Sequence, residues 1–224
     1  YERPNLEEYV ERANKILGLL GENESLETEV KAIKDWFDIN DEMESMITLV
    51  SIRNSLNTQD EFYEKEQEFF DNNVPQLQQY DHIFSQKILK SKNRKELEKE
   101  FGELLFKSAE LRHKTFDPKI IPLLQQENKL STEYSKLLAS AKLEFEGGTY
   151  NLSQMGPFLQ NLNRDIRHRA QLKVSEFFEK NEKQLDRIYD DMVKVRTKIA
   201  HELGYQNYVQ LGYDRLGRTD YNYK

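Results

Sequence analysis

The spacing of apolar residues predicts helix over most of the chain. Asn5 reads as an N-cap, with Glu7 and Glu8 in the first turn, where the helix dipole favours acids. Leu6, Val10, Ala13, Leu17 and Leu20 then recur at helical spacing before Gly21. Ser25 opens a second helix whose stripe is Leu26, Val30, Ile33, Phe37, Met43, Ile47 and Val50. Thr58 and Glu61 have the spacing of a capping box for a third, which carries Phe62, Phe69, Phe70, Leu77, Tyr80 and Phe84. Pro75 inside that segment lacks an amide proton, which predicts a kink or a split. After a break at 91–93, Leu97, Phe101, Leu104, Leu105 and Leu111 predict one further helix. Asp117 and Pro118 suit the N-cap and first turn of the next, which runs through Leu124, Tyr134 and Leu138 to about Lys142.

The period then changes. Gly147–Gly148, flanked by Phe145 and Tyr150, predicts a small β-hairpin near 143–152. Asn163 caps another helix. A separate last long helix is expected from about Glu182 to Leu203, because Leu185, Ile188, Met192, Val195, Ile199 and Leu203 step by three or four before Gly204. The fold class that follows is all-α: a multi-helix array of long antiparallel helices with one small β-hairpin. No fixed-period repeat or low-complexity linker interrupts it. The best boundary falls near Phe116–Asp117, dividing 1–116 from 117–224.

Composition changes this picture little. Charged residues make up 33% and hydrophobic ones 37% of 224 residues, which suits helices that each bury one stripe and solvate the rest. Disorder is disfavoured by 12 Phe, 12 Tyr and one Trp. The net charge of −7 argues against a nucleic-acid partner, whose phosphates call for a basic surplus. With no cysteine, disulfides and thiolate metal sites are excluded, which suits a reducing cytoplasm. No apolar run approaches the ~18 residues of a membrane span, so no membrane role is expected.

Candidate chemistry is sparse. His201–Glu202 resembles the start of a zinc-binding His-Glu-x-x-His helix, but Tyr205 stands where the second histidine should. A single imidazole cannot assemble a three-ligand catalytic site, so His201 reads as a helix C-terminal residue at the negative end of the dipole. His82, His113 and His168 fall on different predicted helices without paired ligands. Asp165 and Arg169, four apart, should pair on a solvated face. Asp190 and Asp191 point about 100° apart on a helix and cannot share a substrate unaided. There is no phosphate loop and no nucleophile elbow. The stretch from Leu211 to Tyr221 is dense in Gly, Tyr and Arg. It reads either as the lining of a peptide site or as a tightly turned connection between helices.

Asp191-Met192-Val193-Lys194-Val195-Arg196, then Leu203-Gly204-Tyr205, Tyr208, Leu211-Gly212-Tyr213, Arg215, Arg218 and Asp220-Tyr221, closely resemble the oligoendopeptidase F family of thimet-oligopeptidase-like zinc metallopeptidases. Phe145-Glu146-Gly147-Gly148-Thr149-Tyr150 with Gly156-Pro157-Phe158, and Asn163-Arg164-Asp165-Ile166-Arg167, fit the same family. The resemblance is strong over about 143–221 and general before it. It implies a cytoplasmic, mainly helical enzyme that cleaves short peptides in a channel, using zinc held by His-Glu-x-x-His and a later Glu. That motif lies beyond the matched segment, so no catalytic or metal-binding residue carries over. The chain alone is expected to bind no zinc and to be inactive. What carries over is a wall of the substrate channel around Tyr208, Tyr213, Arg215, Arg218 and Tyr221. Asp220-Tyr221-Asn222 reads as the entry to another helix. Apolar stripes are expected to form an uncovered patch or a chain–chain contact. A non-catalytic helical module that binds peptide or protein is the alternative reading.

Overall fold

A computed structural model describes residues 1–222. Among them the fold is mainly α, with one two-stranded sheet. Helix α1 spans Leu6–Gly18, and Asn5 Oδ1 accepts from the amides of Glu7 and Glu8, as its N-cap position predicts. Helix α2 spans Leu26–Leu56 behind the Ser25 cap. Its buried face is rotated from the predicted stripe: Ala32, Ile33, Trp36, Ile39, Met43 and Val50 are inside, whereas Leu26 and Phe37 are exposed. A helix of 31 residues touches several neighbours in succession, so its inner face drifts and includes Glu29 and Asn54.

Helix α3 runs unbroken over Glu61–Leu89, and its N-cap is Asp60 rather than the Thr58 capping box. Pro75 does not split it. The missing proline amide frees the carbonyl of Asp71, four residues earlier, and α6 supplies a replacement donor. Asn128 Nδ2 reaches Asp71 O at 3.2 Å, and beside it Gln125 Nε2 reaches Asn72 O at 2.6 Å. The next predicted helix is in fact two, α4 (Arg94–Phe101) and α5 (Glu103–Thr115), because Gly102 at φ 85° breaks the hydrogen-bond ladder.

Asp117 caps a single 3₁₀ turn, Pro118–Ile120, that leads into α6 (Ile121–Ala139). Strands β1 (Leu143–Phe145) and β2 (Gly148–Tyr150) pair antiparallel, with Leu143 opposite Tyr150 and Phe145 opposite Gly148. Glu146 and Gly147 both have positive φ, the backbone of the tight turn expected there. A short helix α7 (Gly156–Leu159) follows. The two helices expected after Asn163 are one, α8, spanning Arg164–Glu202. No Gly or Pro lies between 164 and 202, so nothing interrupts the ladder. α8 ends in a Schellman motif: Tyr205 N donates to Ala200 O and Gly204 N to His201 O, with Gly204 at φ 81°. The first part of the Gly-Tyr-Arg stretch, 211–215, is the end of helix α9 (Tyr208–Arg215). The helix expected beyond Asn222 lies outside the described residues.

Three cores result. One gathers α1–α5 around Trp36, whose indole stacks on Phe84 at 4.8 Å and 7°. The second joins Phe116, Ile120 and α6 to Val195, Ile199 and Leu211 of α8 and α9. The third, under the hairpin, holds Leu143, Phe145, Met155 and Ala170. The middle of α8 leaves Phe178, Tyr189 and Val193 exposed, and Leu172 with them.

Candidate functional site

The second core carries a polar cluster that begins with one glutamate. On α6 the buried positions Leu124, Glu127 and Leu130 follow at intervals of three, so Glu127 occupies an apolar register and is 5% exposed. A carboxylate so placed needs cations or hydrogen-bond donors, because burial without them is costly. Arg196 of α8 supplies one, Nε to Oε1 at 2.7 Å, and Arg215 of α9 the other, Nη1 to Oε2 at 2.9 Å. Arg215 also donates to the Tyr208 hydroxyl at 3.2 Å, and both guanidinium groups lie over the Tyr208 ring. One carboxylate thus ties three helices together.

Of the five residues assigned to a channel wall, Tyr208 and Arg215 belong to this cluster. The other three form a second one. The Arg218 guanidinium lies 4.6 Å from the Tyr213 ring centroid and 5.3 Å from that of Tyr221. The two rings meet edge to face at 6.0 Å. Between the clusters, Asp214 accepts from Tyr205 Oη and Gln210 Nε2, each at 2.7 Å. Burial, reinforced by that bond to Asp214, holds the Tyr205 phenol above its ordinary range. Sequence reasoning missed Glu127 and Arg196 as members. An acid at an apolar register was the signal for Glu127.

His201 sits at the exposed end of α8, with Nε2 3.2 Å from Gln206 O. Asp165 pairs with Arg169 at 2.8 Å, as their spacing predicts, and Arg169 also reaches Glu146 of the hairpin. Asp190 pairs with Lys194, and Asp191 with Arg187, on the α8 surface. The structure does bring two histidines together that the sequence placed apart. His82 and His113 stack at 4.7 Å and 23°, beside Phe116. Burial, then the neighbouring His113, pushes the His82 imidazole down, and among the described residues its Nδ1 has no hydrogen-bond partner. Parallel rings do not converge their nitrogens on one ion. Among the described residues no group of three or more His, Asp or Glu side chains could hold a metal, so these residues do not fit a zinc site.

A further titratable group lies in the first core. Burial pushes Asp81 on α3 up to about 6, while Arg112 works against that rise and Glu44 adds to it. The neutral carboxyl is favoured in the fold. Its ionisation therefore costs stability as pH rises from the ordinary 3.8 through about 6, and costs nothing below. Asp81→Asn is expected to raise stability by about 1–2 kcal/mol at pH 7.5, a value discounted for partial solvent access, and to leave it unchanged at pH 3. Thermal melts of both proteins at the two pH values check this. An equal change at both would remove ionisation as the cause.

Among the described residues no helix is long and apolar enough to cross a membrane. The Peptidase M3 N-terminal domain profile matches residues 1–116. No curated protein matches the chain. Solved structures do. One described as an oligoendopeptidase F is 42% identical with a TM-score of 0.95, covering 100% of this chain and 40% of its own. PZ peptidase A, solved with an inhibitor, is 41% identical at a TM-score of 0.95 with the same coverage. One described as an oligoendopeptidase F of Bacillus anthracis is 43% identical at 0.94, covering 99% of this chain and 41% of its own. The 224 residues thus span about two fifths of these relatives. With the profile matched over more than half its length, the chain belongs to the peptidase M3 family and carries the N-terminal domain of that family.

Proposed function

We propose that these residues form the helical, non-catalytic part of a zinc metalloendopeptidase of the oligoendopeptidase F type, and that the whole enzyme hydrolyses short peptides in the cytoplasm. The observation that carries this reading is the cluster in which Glu127 holds Arg196 and Arg215 against Tyr208. Together with Tyr213, Arg218 and Tyr221, it presents aromatic rings and cations suited to an extended peptide. In this reading the zinc and its ligands come from the portion of the relatives that the chain does not span. The division near Phe116–Asp117 is part of this reading, and a first core drawn from α1–α5 alone supports it. The apolar side chains left in solvent on α8 would meet that further portion.

The test is a chimera in which this chain replaces the corresponding two fifths of a solved oligoendopeptidase F. The chimera should cleave an internally quenched peptide with zinc present, and the 224-residue chain alone should not. Turnover by the chain alone would overturn the division of labour. A folded chimera that binds the peptide without cleaving it would favour the helical binding module.

A further inference from the structure

The last turn of α9 places one arginine with unusual care. Gly217 at φ 65° closes a second Schellman motif, in which Arg218 N donates to Tyr213 O at 3.2 Å and Gly217 N to Asp214 O at 3.0 Å. That motif usually brings together apolar residues at the two positions occupied here by Tyr213 and Arg218. The contact is instead a cation on an aromatic face, and Tyr221 adds a second ring. The two ring contacts hold the guanidinium at this place. Its five N–H donors form a planar fork.

Nearby acids are already engaged. Glu127 accepts from Arg196 and Arg215, Asp214 from Tyr205 and Gln210, and Asp220 Oδ1 from Thr219 at 3.1 Å. Among the described residues Arg218 makes no ion pair. A partly exposed fork of donors, fixed in place but unpaired, matches a planar carboxylate. The geometry points to Arg218 as a binding residue for a carboxylate of the bound peptide, either its C-terminus or an acidic side chain. This rests on the peptide-wall reading and adds a specific anchor to it.

The probes are N-acetylated hexapeptide libraries titrated onto the chain and followed by NMR. One library lacks Asp and Glu and is a free acid, the second is its C-terminal amide, and the third is an amide containing Glu. A carboxylate-bearing library should bind roughly tenfold more tightly than the plain amide, the loss expected when one charge-assisted fork is removed. Arg218→Gln should erase that difference, with the fold checked by circular dichroism, and Arg218→Lys should restore only part of it. Which of the two acidic libraries gains identifies the source of the carboxylate. Equal binding of all three, unchanged by Arg218→Gln, overturns the inference and leaves the peptide wall standing. Binding of none overturns both.

Discussion

Trp36→Ala is expected to destabilise the fold by about 4 kcal/mol. The indole is 2% exposed and stacks on Phe84 across the α2–α3 packing. Its removal leaves a cavity bordered by long helices whose other contacts hold them apart, so collapse is only partial. Offset aromatic stacking, worth about 0.5–1.5 kcal/mol beyond burial, is lost too. Trp36 is the only tryptophan, so tryptophan emission is lost with the substitution and urea unfolding is followed by far-UV circular dichroism. Phe178→Ala, at a position 40% exposed on α8, should cost under ~1 kcal/mol in the same measurement. Similar costs at the two sites would show that the first core is not organised around the Trp36–Phe84 stack.

Glu127→Ala should cost about 2–3 kcal/mol. A fully buried pair broken on one side costs about 3–5 kcal/mol, and the figure is lower here because Arg196 and Arg215 keep partial access to water. The remaining guanidinium groups lose their common carboxylate, and α9 loses its tie to α6. Glu127→Ala combined with Arg215→Ala should cost less than the sum of the two single changes, since each already abolishes the same contact. Chemical denaturation of the four proteins gives the coupling. Strict additivity would mean that the bridge contributes nothing. The prediction bears on the proposed wall as well, because both arginines contact the Tyr208 ring.

Three further buried acids also join distant segments, Glu66 through an arginine and the other two through neutral donors. Glu29 is 0% exposed and accepts from Ser91 Oγ at 2.7 Å and Asn93 Nδ2 at 2.8 Å, pinning the α1–α2 turn to the α3–α4 turn. Glu66 receives Arg3 and the Tyr1 hydroxyl, and so fastens the N-terminal residues to α3. Asp71 accepts from Thr132 at 2.6 Å and Gln67 at 2.9 Å at the level where Pro75 opens the helix. Each joins segments about 60 residues or more apart, Asp71 through Thr132. In a chain with 40 acidic residues such positions do not stand out singly. They become legible only once the inner face of each helix is known.

Local rules settled a good deal of this protein. Asn5, Ser25, Asp117 and Asn163 cap where they should, because an N-cap is an interaction between residues two or three apart. The hairpin and the stop at Gly204 are equally local, and so is the helical class that the apolar spacing demands. Local rules misjudged the ladder itself at three places. Pro75 stays inside α3 because α6 supplies a donor from 53 to 57 residues away. Gly102 breaks a periodic segment, and α8 runs through a stretch read as two helices. The family was legible from the residues around α8 and α9, but the clusters they form were not. Which ring meets which guanidinium, and which buried carboxylate neutralises them, depends on side chains from α6, α8 and α9 converging. Short-range chemistry fixes helices and their ends. Only packing brings residues nearly 90 positions apart, such as Glu127 and Arg215, within hydrogen-bonding reach.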